Sequence, residues 1–219
     1  MSDAVKDLKE KLFYEKKNGL LKTNDETNQK IQQYCEGYKD FLNSAKTERE
    51  AVKTAVDMAI EKGFKPFEIG KKYNAGDKVY FNNRGKTVAF AVIGELPAEK
   101  GVNITAAHID SPRLDLKPNP LYEELELALF KTHYYGGIKK YQWTAMPLAL
   151  HGVFAKKDGT VTEVNIGEDD SDPKFVINDL LPHLAREQSK RSLSDGVRGE
   201  ELNVLIGSMP FKSDEGSEL

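Results

Sequence analysis

The stretch Val102-Asn103-Ile104-Thr105-Ala106-Ala107-His108-Ile109-Asp110-Ser111-Pro112-Arg113 decides how this chain is read. A polar connection from Glu95 to Gly101, punctuated by Pro97, precedes it, and the residues up to Ala107 have the composition of a short, mostly buried strand. His108 then stands at the C-terminal end of that strand. In open α/β sheets ligands bind at this end, because the strand fixes the backbone while the following loop presents side chains. A neutral imidazole is a common zinc ligand. A carboxylate two residues further on can reach the ring, directly or through backbone geometry, to set its tautomer and raise its basicity. His108 and Asp110 are therefore a candidate ligand and orienting partner. Taken alone the tripeptide is weak, since a histidine beside an aspartate is more often an ordinary hydrogen-bonded pair.

Upstream, the sequence predicts helices. Ile31, Tyr34, Cys35, Tyr38, Phe41 and Leu42 fall on one stripe of a 3.6-residue period, and such a stripe calls for a core. A second helix opens with Thr47 and Glu50 as a capping box. It is expected to bury Val52, Ala55, Val56, Ala59 and Ile60 and to stop at Gly63, where positive φ is accommodated. After Pro66 the texture changes. Val79 to Phe81 is strand-like, Asn82-Asn83-Arg84-Gly85 is turn chemistry, and the apolar run Thr87 to Ile93 reads as a buried strand.

Downstream of about Pro118 the helical rhythm gives way to short β-like pieces, Leu125 to Phe130, Thr144 to Phe154 and Val161 to Ile166, with Asp158-Gly159 as a hairpin turn between the last two. This predicts a separate β-rich region. An acidic loop containing Glu168, Asp169, Asp170 and Asp172 lacks EF-hand spacing and a terminal bidentate Glu, so it reads as a solvated loop. Asn178 to Ala185 is expected to begin or cap a short helix. The polar stretch near 186–200 is expected to be mobile.

Bulk composition narrows the function classes. The 219 residues are 39% hydrophobic and 31% charged with a net charge of -3, which argues against a nucleic-acid or anionic-membrane partner. Cys35 is the single cysteine, so a metal here would be held by His and carboxylates; on its helix stripe Cys35 is expected to be a buried, inert thiol. The N-terminal residues carry charge throughout, and no later stretch approaches the roughly 20 apolar residues of a membrane span. A cytoplasmic location is the expectation. Gly136-Gly137 lacks the company of a phosphate loop, and no serine sits in a nucleophile elbow.

The run Asn103 to Tyr122, NITAAHIDSPRLDLKPNPLY, resembles the signature of the M18 metalloaminopeptidases, the aspartyl aminopeptidase and aminopeptidase I type. In that signature a small-residue strand ends in His-x-Asp-Ser-Pro and continues through a basic, proline-punctuated strand. Further segments agree in the same order: Asn83-Arg84-Gly85-Lys86, Tyr135-Gly136-Gly137 followed by Trp143, Leu181-Pro182-His183-Leu184-Ala185, and Glu201-Leu202-Asn203. The resemblance implies an α/β fold: half of a phosphorylase/hydrolase-like zinc-peptidase catalytic domain in residues 1–118, and an inserted β-rich dimerisation and assembly domain in residues 119–219. It implies that His108 is the terminal ligand of one of two zinc ions, with cobalt or manganese as substitutes. Asp110 would orient the catalytic site, and His183 would reach substrate in a neighbouring subunit's pocket.

The same resemblance implies peptide substrates and a large homo-oligomer assembled from dimers. The family's bridging aspartate, paired glutamates and last aspartate and histidine ligands all follow the inserted domain, so the chain ending at Leu219 is expected to be an N-terminal portion and inactive by itself. His133 and His151 are expected to be structural. A competing reading is a non-catalytic assembly module, truncated or split from a longer chain, and it draws on the shortage of ligands, since a catalytic zinc usually needs three protein ligands.

Overall fold

A computed structural model describes residues 3–14 and 16–209; residues 210–219, the end of the expected β-rich region, lie outside them. The chain divides into two compact units, Met1–Ala45 and Lys46–Leu219.

The first unit contains α1 (Asp3–Leu12), a short 3-10 turn and α2 (Asp25–Ser44). Asn24 caps α2 by accepting from the Thr27 amide at 2.9 Å, and Asp25 and Glu26 lie in the first turn, where the helix dipole favours negative charge. The predicted apolar stripe is present on α2, but its burial is not. Tyr34, Tyr38 and Leu42 are exposed and the helix has no buried residue, so the periodicity reported an amphipathic surface without its cover. Cys35 is also exposed, which corrects its assignment as a buried thiol.

In the second unit, α3 (Glu48–Glu61) starts at the predicted capping box. The Glu50 amide donates to Thr47 Oγ1 at 3.3 Å and the Thr47 amide donates to Glu50 Oε2 at 2.9 Å. Ala51, Val52 and Ala59 are buried, whereas Ile60 is exposed. Gly63, at φ 85°, ends the helix as expected. The two-residue β1 (Lys65–Pro66) runs parallel to β2 (Lys78–Asn83), which turns through Arg84 and Gly85, both at positive φ, into antiparallel β3 (Thr87–Val92). The hairpin is as predicted. Its burial is not, because Phe90 and Val92 are exposed on β3.

Residues 101–112 form no strand, which corrects the central local expectation. A strand is held by backbone pairing as much as by apolar composition, and none of the described residues pairs with this run. Val102 and Ile104 are exposed accordingly.

The sheet begins directly after it. β4 (Arg113–Glu124) passes through Pro118 and pairs with β5 (Leu127–Tyr135), while β5 also pairs with β8 (Val204–Gly207), giving the order β4-β5-β8. Between β5 and β8 lies a separate ribbon, β6 (Leu150–Ala155) and β7 (Val161–Ile166), closed by the predicted turn at Gly159, φ 86°. Leu125 and Glu126, placed in a strand by composition, form the β4–β5 turn at positive φ.

Ile177, Val197, Leu202 and Val204 are the core of this unit, with Phe130, Trp143, Leu148 and Phe175 packed against them. Each fully buried aliphatic side chain contributes roughly 1.5–3 kcal/mol relative to exposure. Thr132, buried on β5, donates its hydroxyl to the Leu202 carbonyl, so its polar atom is satisfied. Val197 belongs to the stretch expected to be mobile. That stretch instead contributes to the core and is tied by Arg191, whose guanidinium contacts Glu201 at 2.9 Å. Asn178 to Ala185 is irregular with a turn at 182–184, and the short helix expected there is confined to the 3-10 turn Gln188–Lys190 that follows.

Candidate functional site

His108 and Asp110 lie on the irregular segment immediately before β4, so the sheet anchors them from the C-terminal side. His108 Nδ1 is 3.0 Å from Asp110 Oδ1 and 3.1 Å from the Asp110 carbonyl oxygen. A carbonyl oxygen only accepts. Nδ1 therefore carries the proton and donates, and the lone pair of the neutral ring resides on Nε2. The ring is 83% exposed, and no described residue contacts Nε2 through a hydrogen bond.

The second oxygen of Asp110 is engaged as well. Tyr135, the last residue of β5, donates its hydroxyl to Asp110 Oδ2 at 2.9 Å. The Tyr135 hydroxyl, then the His108 ring, hold the Asp110 carboxyl below its ordinary value, while the bond to Asp110 raises the Tyr135 phenol above its own. Both shifts favour the same state, an ionised carboxylate accepting from a neutral phenol. The Arg113 guanidinium lies 4.1 Å from the Tyr135 ring centroid and is held by Glu48 at 3.0 Å and Asp115 at 2.7 Å.

These groups border an open cleft of about 350 Å³ whose walls include Glu48, Lys86, Val88, His108, Asp110 and Tyr135. Sequence pattern singled out His108 and Asp110 and passed over Tyr135, Arg113 and Glu48 as site residues. The signal for Tyr135 was its place before Gly136-Gly137, which marks a strand end at a close approach: Gly136 has φ 79°, and a Cβ there would lie 3.5 Å from Pro112 Cα.

The fit to a metal is partial. His108 offers one well-prepared nitrogen, but no group of three or more His, Cys, Asp or Glu able to hold an ion occurs among the described residues. Asp110, with both oxygens occupied by His108 and Tyr135, suits a partner of the ligand rather than a ligand. His183 is exposed on a turn, with no hydrogen-bond or ion-pair partner among the described residues. His133 stacks on Tyr134 at 5.7 Å. His151 joins α3 to the β6–β7 ribbon: Nδ1 lies 2.7 Å from Glu50 Oε1 and Nε2 lies 2.8 Å from Glu168 Oε1. In the acidic loop, Asp172 accepts from the Gly167 and Asp169 amides and Lys174 donates to the Gly167 and Asp169 carbonyls, so the turn is closed by its own groups. No described helix is long and apolar enough to cross a membrane.

Comparison with known proteins agrees with the motif. The profile of the family described as Aminopeptidase I zinc metalloprotease (M18) matches residues 41–217, and the chain belongs to this family of peptide hydrolases. It is 49% identical over 208 residues to the "Probable M18 family aminopeptidase 1" of Clostridium acetobutylicum, a match covering 93% of this chain and 45% of that protein. Among solved structures, the M18 aminopeptidase of Thermotoga maritima aligns with a TM-score of 0.84 at 42% identity, covering 94% of this chain and 45% of that one. Aminopeptidase I of Borrelia burgdorferi aligns with a TM-score of 0.79 at 42% identity, covering 93% and 46%. The chain thus spans a little under half the length of these relatives.

Proposed function

We propose that this chain forms the N-terminal portion of a metal-dependent aminopeptidase that removes N-terminal residues from peptides, and that His108 is one of its zinc ligands. The observation that carries this reading is the state of the His108 ring: Nδ1 is committed to Asp110 and Nε2 is left exposed at a cleft, in a chain of a zinc metalloprotease family. Asp110 fixes the tautomer and raises the basicity of the ligand nitrogen. Zinc, when bound in this family of sites, supplies an acidified water and polarises the scissile carbonyl. Within this chain, His108 would hold the ion and Asp110 would orient His108, at a cleft whose walls include Glu48 and Lys86.

One protein ligand does not make a catalytic zinc site, which needs about three. The remaining donors, and the cover for the exposed run 102–107 and for β3, are proposed to come from the further length that the relatives possess. A second ion, and cobalt or manganese in place of zinc, belong to the same proposal. Residues 119–219 are proposed to be an inserted assembly domain of a homo-oligomer built from dimers, working in the cytoplasm, with His183 contacting substrate in a neighbouring subunit. The exposure of His183 and the Leu181-Pro182-His183-Leu184-Ala185 segment support that role.

A mixing experiment tests the proposal. Full-length subunits carrying His108→Ala alone and His183→Ala alone should each be inactive, with zinc lost only from the first. Co-assembly should restore partial activity by pairing an intact metal site with an intact His183, since interfaces repeat in closed symmetric assemblies. No recovery in demonstrably mixed oligomers returns His183 to a structural role. The alternative, a non-catalytic assembly module, is favoured by the absence of a complete ligand group among the described residues. Zinc-dependent release of amino acids by the full-length protein, lost in His108→Ala, excludes it.

A further inference from the structure

We propose that Tyr135 is a positioning residue for His108, acting through Asp110 to hold the imidazole in its Nδ1–H tautomer and so keep the Nε2 lone pair free. The purpose of this arrangement rests on the zinc-ligand reading, while the relay consists of the chain's own hydrogen bonds.

The neutral side chain of a free histidine in water prefers the proton on Nε2. A protein that needs the Nε2 lone pair must therefore reverse that preference by giving Nδ1–H a fixed acceptor. Asp110 supplies two acceptors, its backbone carbonyl at 3.1 Å and its carboxylate at 3.0 Å; the carboxylate is the movable one, on a segment with no strand pairing, where a side chain two residues from the ring is free to rotate away. Something outside the segment has to pin it. Tyr135 does so from a rigid element: it closes β5, and the β4–β5 register sets it opposite Arg113, three residues beyond Asp110. The adjoining Gly136, at φ 79°, takes the left-handed backbone that lets the chain turn away at the end of β5 beside Pro112. Pro112 in turn restricts the backbone of the Asp110 segment.

The phenol is held on a second side. Arg113 covers its face, and Glu48 on α3 and Asp115 on β4 fix the guanidinium. A cation on the ring face draws density from the phenol and strengthens its O–H as a donor. Helix, sheet and loop therefore converge on Asp110 Oδ2, leaving Oδ1 for His108.

The test uses the 15N-labelled, metal-free 219-residue chain and long-range proton–nitrogen NMR correlations of the His108 ring, at a pH where the ring is neutral. Tyr135→Phe keeps the ring and its Arg113 stacking and removes only the hydroxyl. The ratio of Nδ1–H to Nε2–H tautomers should fall by about 3- to 10-fold, less than in Asp110→Ala, because the effect reaches the ring through an intermediary. Amide spectra otherwise matching the parent exclude misfolding. An unchanged tautomer ratio in Tyr135→Phe overturns the inference. Zinc retention separates this from the underlying reading: undiminished zinc in full-length His108→Ala would defeat the ligand role, while the tautomer shift would still stand.

Discussion

The β4–β5–β8 sheet and the segment from Thr87 to Ala107 are both rich in apolar residues, and they reach different ends. In the sheet, Thr132 is buried and Phe130 packs on a core formed by Ile177, Val197, Leu202 and Val204. In the other segment, Phe90, Val92, Val102 and Ile104 are exposed, and residues 102–107 have no paired neighbour among the described residues. Apolar pattern states what a segment is able to cover, whereas burial requires a second layer to lie against it. The candidate ligand His108 joins the two regimes, following the uncovered run and preceding the covered sheet by five residues.

The covered sheet should respond most strongly to substitution. Leu202→Ala, which empties a fully buried position, should destabilise the second unit by about 2–5 kcal/mol in denaturant unfolding. Ile104→Ala in the same chain should stay within about 0.5 kcal/mol, because its side chain is already in water. Equal effects at the two positions would erase the distinction. His151→Ala tests a polar attachment between α3 and the ribbon; losing the contacts to Glu50 and Glu168 should cost about 1–3 kcal/mol.

A smaller effect concerns pH. The His151 hydrogen bond, then Lys46 and the other nearby cations, hold the Glu168 carboxyl below its ordinary value of 4.5, against the opposing effect of burial. A depressed folded-state value means that the associated stability is fully present above the unfolded value and is lost as pH falls through the lower, folded one. Glu168 is part-exposed, so the change should be under about 1 kcal/mol. Urea midpoints between pH 5 and pH 3 should fall less in Glu168→Gln than in the parent. Hydrogen exchange sharpens the uncovered side: amides of 102–107 should exchange freely in the 219-residue chain and slow in the full-length protein if a second layer covers them.

The elements most legible in sequence were those fixed by local chemistry. Thr47 and Glu50 lie three residues apart and announced the start of α3, while Asp158-Gly159 and Asn82-Asn83-Arg84-Gly85 announced their hairpins, with Gly159 and Gly85 at the positive φ that glycine accommodates. Burial of β3 and of the α2 stripe was not legible, since it depends on surfaces far along the chain. β8 is a short strand recruited by β5 and carries no turn signal of its own. At the site, His108 and Asp110 were visible as a motif two residues long. Tyr135 was not, because it reaches Asp110 from 25 residues away through the β4–β5 register. His151 was read as structural from its place in the β region, but its partner Glu50 lies 101 residues distant and no spacing rule connects them.

The role proposed for His108 is to bind zinc through Nε2. Its most direct test is the zinc content of the purified full-length protein and of its His108→Ala variant, measured by elemental mass spectrometry after gel filtration, alongside release of N-terminal amino acids from peptides. The variant should lose zinc and have no measurable activity while eluting at the parent's position in gel filtration. Full zinc occupancy and full activity in His108→Ala would contradict it.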